Sequence, residues 1–171
     1  NNTIFLNGKN STLNTGNGNN TVTVKGDNST ITTGSGKDNI TVSAKGVNVN
    51  SGSGDDTITI SGSNATINSG AGNNIINAGG NSSSITTGND ANTINVTGNY
   101  VTVRAGNGTD TIKVTGTNAD IDSGDGNDYV SIASGATSSS ITSKAGNNTV
   151  ISDLDKANIV VGNGNNNVIL N

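Results

Sequence analysis

Carboxylates are the side chains of this 171-residue chain best suited to chemistry, and several recur at one fixed spacing. Asp38 and Asp56 lie 18 residues apart, as do Asp110 and Asp128. Closer pairs are Asp55 with Asp56, Asp120 with Asp122, and Asp153 with Asp155. Paired carboxylates can share general-acid and general-base work. His and Cys are absent, so the commonest acid–base groups and transition-metal ligands are missing. β-Helical enzymes acting on polysaccharides combine carboxylate clusters with long loops and aromatic platforms. Here every turn is short and the aromatics are Phe5, Tyr100 and Tyr129. Asp120 and Asp122 share one face of a strand, which reads as a solvated outer face. The chain therefore reads as a non-enzyme.

What positions the carboxylates is a Gly-x-Gly-x-(Asp/Asn) signal with a period of 18. It begins at Gly16-Asn17-Gly18-Asn19-Asn20 and returns as Gly34-Ser35-Gly36-Lys37-Asp38 and Gly52-Ser53-Gly54-Asp55-Asp56. The last copy is Gly162-Asn163-Gly164-Asn165-Asn166. A period this short means that one small unit stacks on itself. Counting the first Gly as phase one, phase seven is always β-branched, as in Val22, Ile40, Ile58 and Ile112. Phase nine is mostly aliphatic (Val24, Val42, Ile60, Val114), with polar Thr23, Thr41 and Thr59 between the two. That alternation marks a strand with one buried face. Phase sixteen (Leu13, Ile31, Val49, Ile67, Ile121) centres a second strand. Gly and Asn in the intervening turn, as in Gly62-Ser63-Asn64, suit backbone with positive φ.

Two breaks interrupt the period. Gly88-Asn89-Asp90-Ala91-Asn92 lacks the second Gly, and the spacing lengthens by two residues within 133–140. The second reads as a bulged loop at a corner rather than a domain boundary. The expected fold is all-β: one parallel β-solenoid over 1–171, with two short strands per coil and about nine coils, forming a rod on the order of 45 Å long. Asn ladders are the expected stacking device. The chain opens and closes in mid-repeat, which reads as a segment of a longer protein.

Composition excludes several classes. The hydrophobic share is 29%, and Ile and Val at fixed phases supply most of it, which overrides the disorder that such a share would otherwise suggest. Eight basic residues spread along a chain of net charge −4 argue against nucleic acid. No apolar run approaches membrane-spanning length.

Thr15-Gly16-Asn17-Gly18-Asn19-Asn20-Thr21-Val22-Thr23 and its successors resemble the Gly-Gly-x-Gly-x-Asp-x-U-x nonapeptide of the RTX (repeats-in-toxin) family, where U is large and aliphatic. Two nonapeptides make one 18-residue coil, and the resemblance covers nearly the whole chain. It implies a right-handed parallel β-roll whose turns bind Ca²⁺ through Asp carboxylates and carbonyls. It also implies a secreted or surface-exposed bacterial protein: toxin, enzyme, adhesin or surface-layer component. The chain departs from that pattern at the first Gly, which is Thr15, Thr33, Ser51 or Ser69, and at the Asp position of the second nonapeptide, which is Ser29, Val47 or Ala65. The ligand position itself reads Asn20, Asp38, Asp56, Asn74, Asn92, Asp110, Asp128, Asn148, Asn166. Two readings follow. Ca²⁺ is held at the Asp38–Asp56 and Asp110–Asp128 steps, or the roll is Asn-laddered and metal-free with these Asp as solvated turn residues near Lys37.

The functional expectation is a structural segment of a secreted or cell-surface bacterial protein. Its partners are its own neighbouring repeats, with end-to-end self-association conceivable and the receptor unspecified. Two alternatives come from the same residues. Thr-x-Thr ladders such as Thr21-Val22-Thr23 and Thr57-Ile58-Thr59 could bind ice, though the outward column dissolves after Thr59. Unfinished coils rich in Asn and Gly could polymerise as curli-like subunits.

Overall fold

The computed structural model describes residues 1–154 and 156–171. Alternating β-branched and polar residues form short strands of three to five residues, and these assemble into two sheets. Ten strands, from Thr3–Leu6 to Asn167–Leu170, make one sheet in strict chain order, and nine, from Thr12–Asn14 to Asn158–Val161, make the other. Every pairing is parallel. The register is 18 residues, as in Ile40 beside Ile58 and Ile31 beside Val49. The result is a parallel β-solenoid of about nine coils, as the periodicity predicts.

A central coil buries two groups of three side chains, with a buried glycine such as Gly62 in the turn between them. In one coil these are Asp56, Ile58 and Ile60 on the first strand segment, and Ala65, Ile67 and Ser69 on the second. Successive side chains of extended backbone point to opposite faces, so residues two apart share a face. The aliphatic members form one continuous core along the rod. Each large side chain such as Ile58 or Ile112 contributes on the order of 1.5–3 kcal/mol by leaving water.

The turns stack as tightly as the strands. A Cβ added at Gly126 would lie 1.6 Å from Gly108 O, and Gly126 has a φ of +138°, so glycine alone fits there. The second turn places one residue per coil at positive φ: Asn10, Asn28, Gly46, Asn64, Ser82, Tyr100, Asn118 and Ser138. Asn and Gly suit that region, whereas Tyr100 occupies it with its ring exposed.

Both breaks in the period are absorbed locally. Beyond Ile132 the register becomes 20 residues, with Val130 beside Val150 and Ile121 beside Ile141, and then returns to 18. The extra residues form a loop after Ile132, closed by the Ala136 N–H donating to Ala133 O at 3.0 Å. At the degenerate turn, Asp90 Oδ2 accepts the Gly72 N–H at 2.7 Å. In other coils a main-chain carbonyl does this, as Ala71 O does for Gly54 N–H.

Candidate functional site

The ligand-position residues are the most structured polar feature of the rod. Counting back by twos from the inward Ile58 and Ile112 reaches Asp56 and Asp110, so both point into the core. Asn20, Asp38, Asp56, Asn74, Asn92, Asp110, Asp128 and Asn148 are all buried. They form a ladder in which each main-chain N–H donates to the side-chain Oδ1 one coil further on. Asn20 donates to Asp38 at 2.7 Å, Asp38 to Asp56 at 2.8 Å, and Asp56 to Asn74 at 3.0 Å. Asn74 then donates to Asn92 at 3.1 Å, Asn92 to Asp110 at 2.8 Å, and Asp110 to Asp128 at 3.0 Å.

The second arm of each side chain turns towards its own turn. Asn20 Nδ2 donates to Gly18 O at 2.6 Å, Asn74 Nδ2 to Gly72 O at 2.9 Å, and Asn92 Nδ2 to Asp90 O at 2.6 Å. Where Asp replaces Asn, that arm is an oxygen. Oδ2 of Asp38, Asp56, Asp110 and Asp128 is buried without a hydrogen-bond partner. The reading of these Asp as solvated turn residues is therefore corrected. They are core residues, while Lys37 is exposed.

Burial governs the acidity of Asp56, Asp110 and Asp128. It pushes the Asp110 carboxyl up to about 6, against the Asn92 main-chain N–H and amide, while the Asp128 charge adds to the rise. Burial also raises Asp56 and Asp128. The Ser51 hydroxyl near Asp56 pulls the other way, although it donates to Ser69 O at 2.9 Å. Half-exposed Asp27 behaves oppositely. The Lys45 main-chain N–H, followed by Lys9, holds its carboxyl below the usual value. Similar N–H to carboxylate bonds thus accompany opposite shifts, and desolvation is the difference. Two ionised carboxylates stacked about one strand spacing apart would repel by roughly 3–4 kcal/mol at an effective dielectric of 20.

The donor set fits Ca²⁺ poorly. The ion takes about six to eight oxygens at roughly 2.3–2.6 Å. Each Asp has Oδ1 committed to a main-chain N–H and offers Oδ2 alone. Among the described residues, no three His, Cys, Asp or Glu side chains gather. Where Asn occupies the same position, the gap between side chain and turn carbonyl is one hydrogen bond wide. The turns above and below are in contact, with a Cβ on Gly54 falling 2.1 Å from Gly36 O. These residues match a hydrogen-bonded turn better than a coordination shell.

Two further ladders were not legible as such from the period. The residue that replaces the nonapeptide's first Gly is an inward hydroxyl in most coils. Thr33 Oγ1 donates to Ser51 O at 2.7 Å, and Ser51 Oγ to Ser69 O at 2.9 Å. An outer ladder runs on the exposed side in the reverse sense, each N–H donating to the coil before. Lys37 N–H donates to Asn19 Oδ1 at 2.9 Å and Ala91 N–H to Asn73 Oδ1 at 3.0 Å.

Of the other carboxylate pairs, Asp55–Asp56 and Asp120–Asp122 lie wholly among the described residues, and neither is set as a catalytic dyad. Asp55 is exposed while Asp56 is buried, so the two point to opposite sides. Asp120 and Asp122 face outwards, paired with Arg104 at 2.7 Å and Lys144 at 3.0 Å. Asp153 is exposed, and Asp155 lies outside the described residues. A recess of about 390 Å³ beside the inserted loop is lined by Ser134, Thr137, Ser138, Asp153, Leu154 and Lys156. Comparison with family models, curated proteins and solved structures gives no match to this chain.

Proposed function

We propose that this chain is a rigid spacer in a secreted or surface-exposed bacterial protein of the RTX-like, adhesin or surface-layer kind. The fold itself fits a structural role. One observation carries the reading: two sheets and the inner ladder continue from coil to coil with a register that shifts once and then recovers. Such a rod sets distance and direction, and the reading needs no bound metal. The surface location rests on the nonapeptide resemblance.

A spacer is indifferent to which coils it contains, provided that whole coils are kept. Deleting residues 57–74 removes one 18-residue unit and should leave a folded rod shortened by about 4.8 Å, measurable by small-angle scattering. Deleting only 57–65 puts inward residues of one sheet over those of the other and should abolish folding. Equal tolerance of both deletions would overturn the reading, and so would the loss of a discrete binding activity on removal of a single coil.

A further inference from the structure

We propose that Asp38, Asp56, Asp110 and Asp128 act as neutral carboxylic acids, each standing in for an asparagine of the inner ladder and donating its Oδ2–H to its own turn. A proton, rather than a metal ion, then completes these four positions. The argument starts from equivalence. Asn and Asp alternate along one column, share the same inward burial, and offer Oδ1 to the same main-chain N–H. With Oδ1 anchored alike, the other arm of the carboxyl occupies the place of the amide Nδ2. In the asparagine coils that arm donates to turn carbonyls, at 2.9 Å to Gly72 O and 2.9 Å to Gly162 O. An ionised Oδ2 there would direct a buried charge at acceptors, and all four Oδ2 atoms are unpartnered. One proton taken from solvent converts each into a donor and removes the charge.

The surroundings favour that proton. On top of burial, the charges of Asp38 and, from the outer side, Asp55 raise Asp56 against the Ser51 hydroxyl, and that of Asp128 raises Asp110 against the Asn92 amide. At Asp128, burial outweighs the Ser123 hydroxyl and the Asp110 N–H, with Asp125 and Asp122 adding to the rise. The cations nearby are spent or outside, since Lys144 is paired with Asp122 at 3.0 Å and Lys37 is exposed. The remaining ladder neighbours, Asn20, Asn74, Asn92 and Asn148, do not titrate. The raised value of about 6 at Asp110 agrees with this geometry. A carboxyl raised in the folded state holds its proton longer folded than unfolded. Its stabilisation is complete below the ordinary carboxylate range and is lost as pH rises through the raised value. The rod is thereby tightened by acid across the window in which most carboxylates have already ionised.

The test compares the wild type with the variant D38N/D56N/D110N/D128N. Melting is followed by circular dichroism at about pH 5 and pH 7, an interval in which exposed Asp and Lys hardly titrate. Both proteins are measured in chelator and again in millimolar Ca²⁺, and the wild-type Asp side-chain carboxyls are followed by ¹³C NMR. The wild type should melt at a higher temperature at the lower pH. The variant should show no such dependence and should melt above the wild type at pH 7. The signals of the four ladder carboxyls should report the acid form at pH 5 in the folded protein. A wild type less stable or unchanged at pH 5 would overturn the proposal, as would ladder carboxyls ionised at pH 5. So would Ca²⁺ raising the melting temperature of the wild type but not of the variant. A variant that fails to fold counts against the surrogate role too.

Discussion

The inner and outer ladders use the same chemical bond in two environments, and a pair of alanine substitutions in adjacent turns separates them. Asn92→Ala removes the acceptor of the Asn74 N–H (3.1 Å) and the donors to Asp90 O (2.6 Å) and Asp110 Oδ1 (3.1 Å), all at a buried position. Asn73→Ala removes the acceptor of the Ala91 N–H (3.0 Å) at an exposed one. A buried polar group left without a partner costs about 1–3 kcal/mol; the Asn74 N–H sets that range and the part-buried Asp90 O adds about 1, which places Asn92→Ala at about 2–4 kcal/mol. Water replaces the exposed bond, and Asn73→Ala should cost about 0.5 kcal/mol or less. Stacked repeats need not unfold in one step, so the local readout is amide exchange, with guanidinium unfolding as the global check. At a factor of ten per 1.4 kcal/mol, the Asn74 amide should exchange about 30- to 1,000-fold faster in Asn92→Ala. The Ala91 amide in Asn73→Ala should change only a few-fold. Equal effects in the two variants would refute the claim that burial, rather than the bond itself, gives the inner ladder its weight.

Three other outcomes follow from the stacking. Gly126→Ala should cost at least about 3 kcal/mol in thermal melts, because the new Cβ meets Gly108 O while the backbone stays at positive φ. Ile112→Ala opens a cavity in a fully buried layer and should cost about 2–5 kcal/mol, measured by the same melts. Tyr100→Asn relieves a left-handed conformation at an exposed site and should raise stability by up to about 1 kcal/mol; a loss would show that the ring packs usefully against its coil.

The coil was legible because Ile and Val sit at phases that only stacking can explain. Val22, Ile40 and Ile58 are neighbours in space because they are 18 residues apart. The burial of Asp56 was encoded as well. It stands two residues before Ile58 and shares its parity, but the family pattern casts that position as a turn ligand, outside the strand. Ser51 is obscured in the same way, because the nonapeptide has a glycine there although Ser51 follows the inward Val49 by two. The hydroxyl ladder, the proximity of turn carbonyls and the opposite direction of the outer ladder depend on how consecutive turns sit over one another. Spacing along one chain does not report that. Asp90 shows the limit most clearly, since its carboxylate replaces a carbonyl contact made by main chain elsewhere.

Because the bonds joining one coil to the next run along the axis of the rod, tension applied to its two ends would load the coil interfaces one after another in series. Each interface that gives way frees 18 residues, roughly 60 Å of extended chain, for a folded rise of about 4.8 Å. The molecule would then be stiff against bending yet extensible by peeling. Its force trace would be a ladder of equal teeth, each one coil long, with a longer tooth where the two extra residues sit beside Ala136.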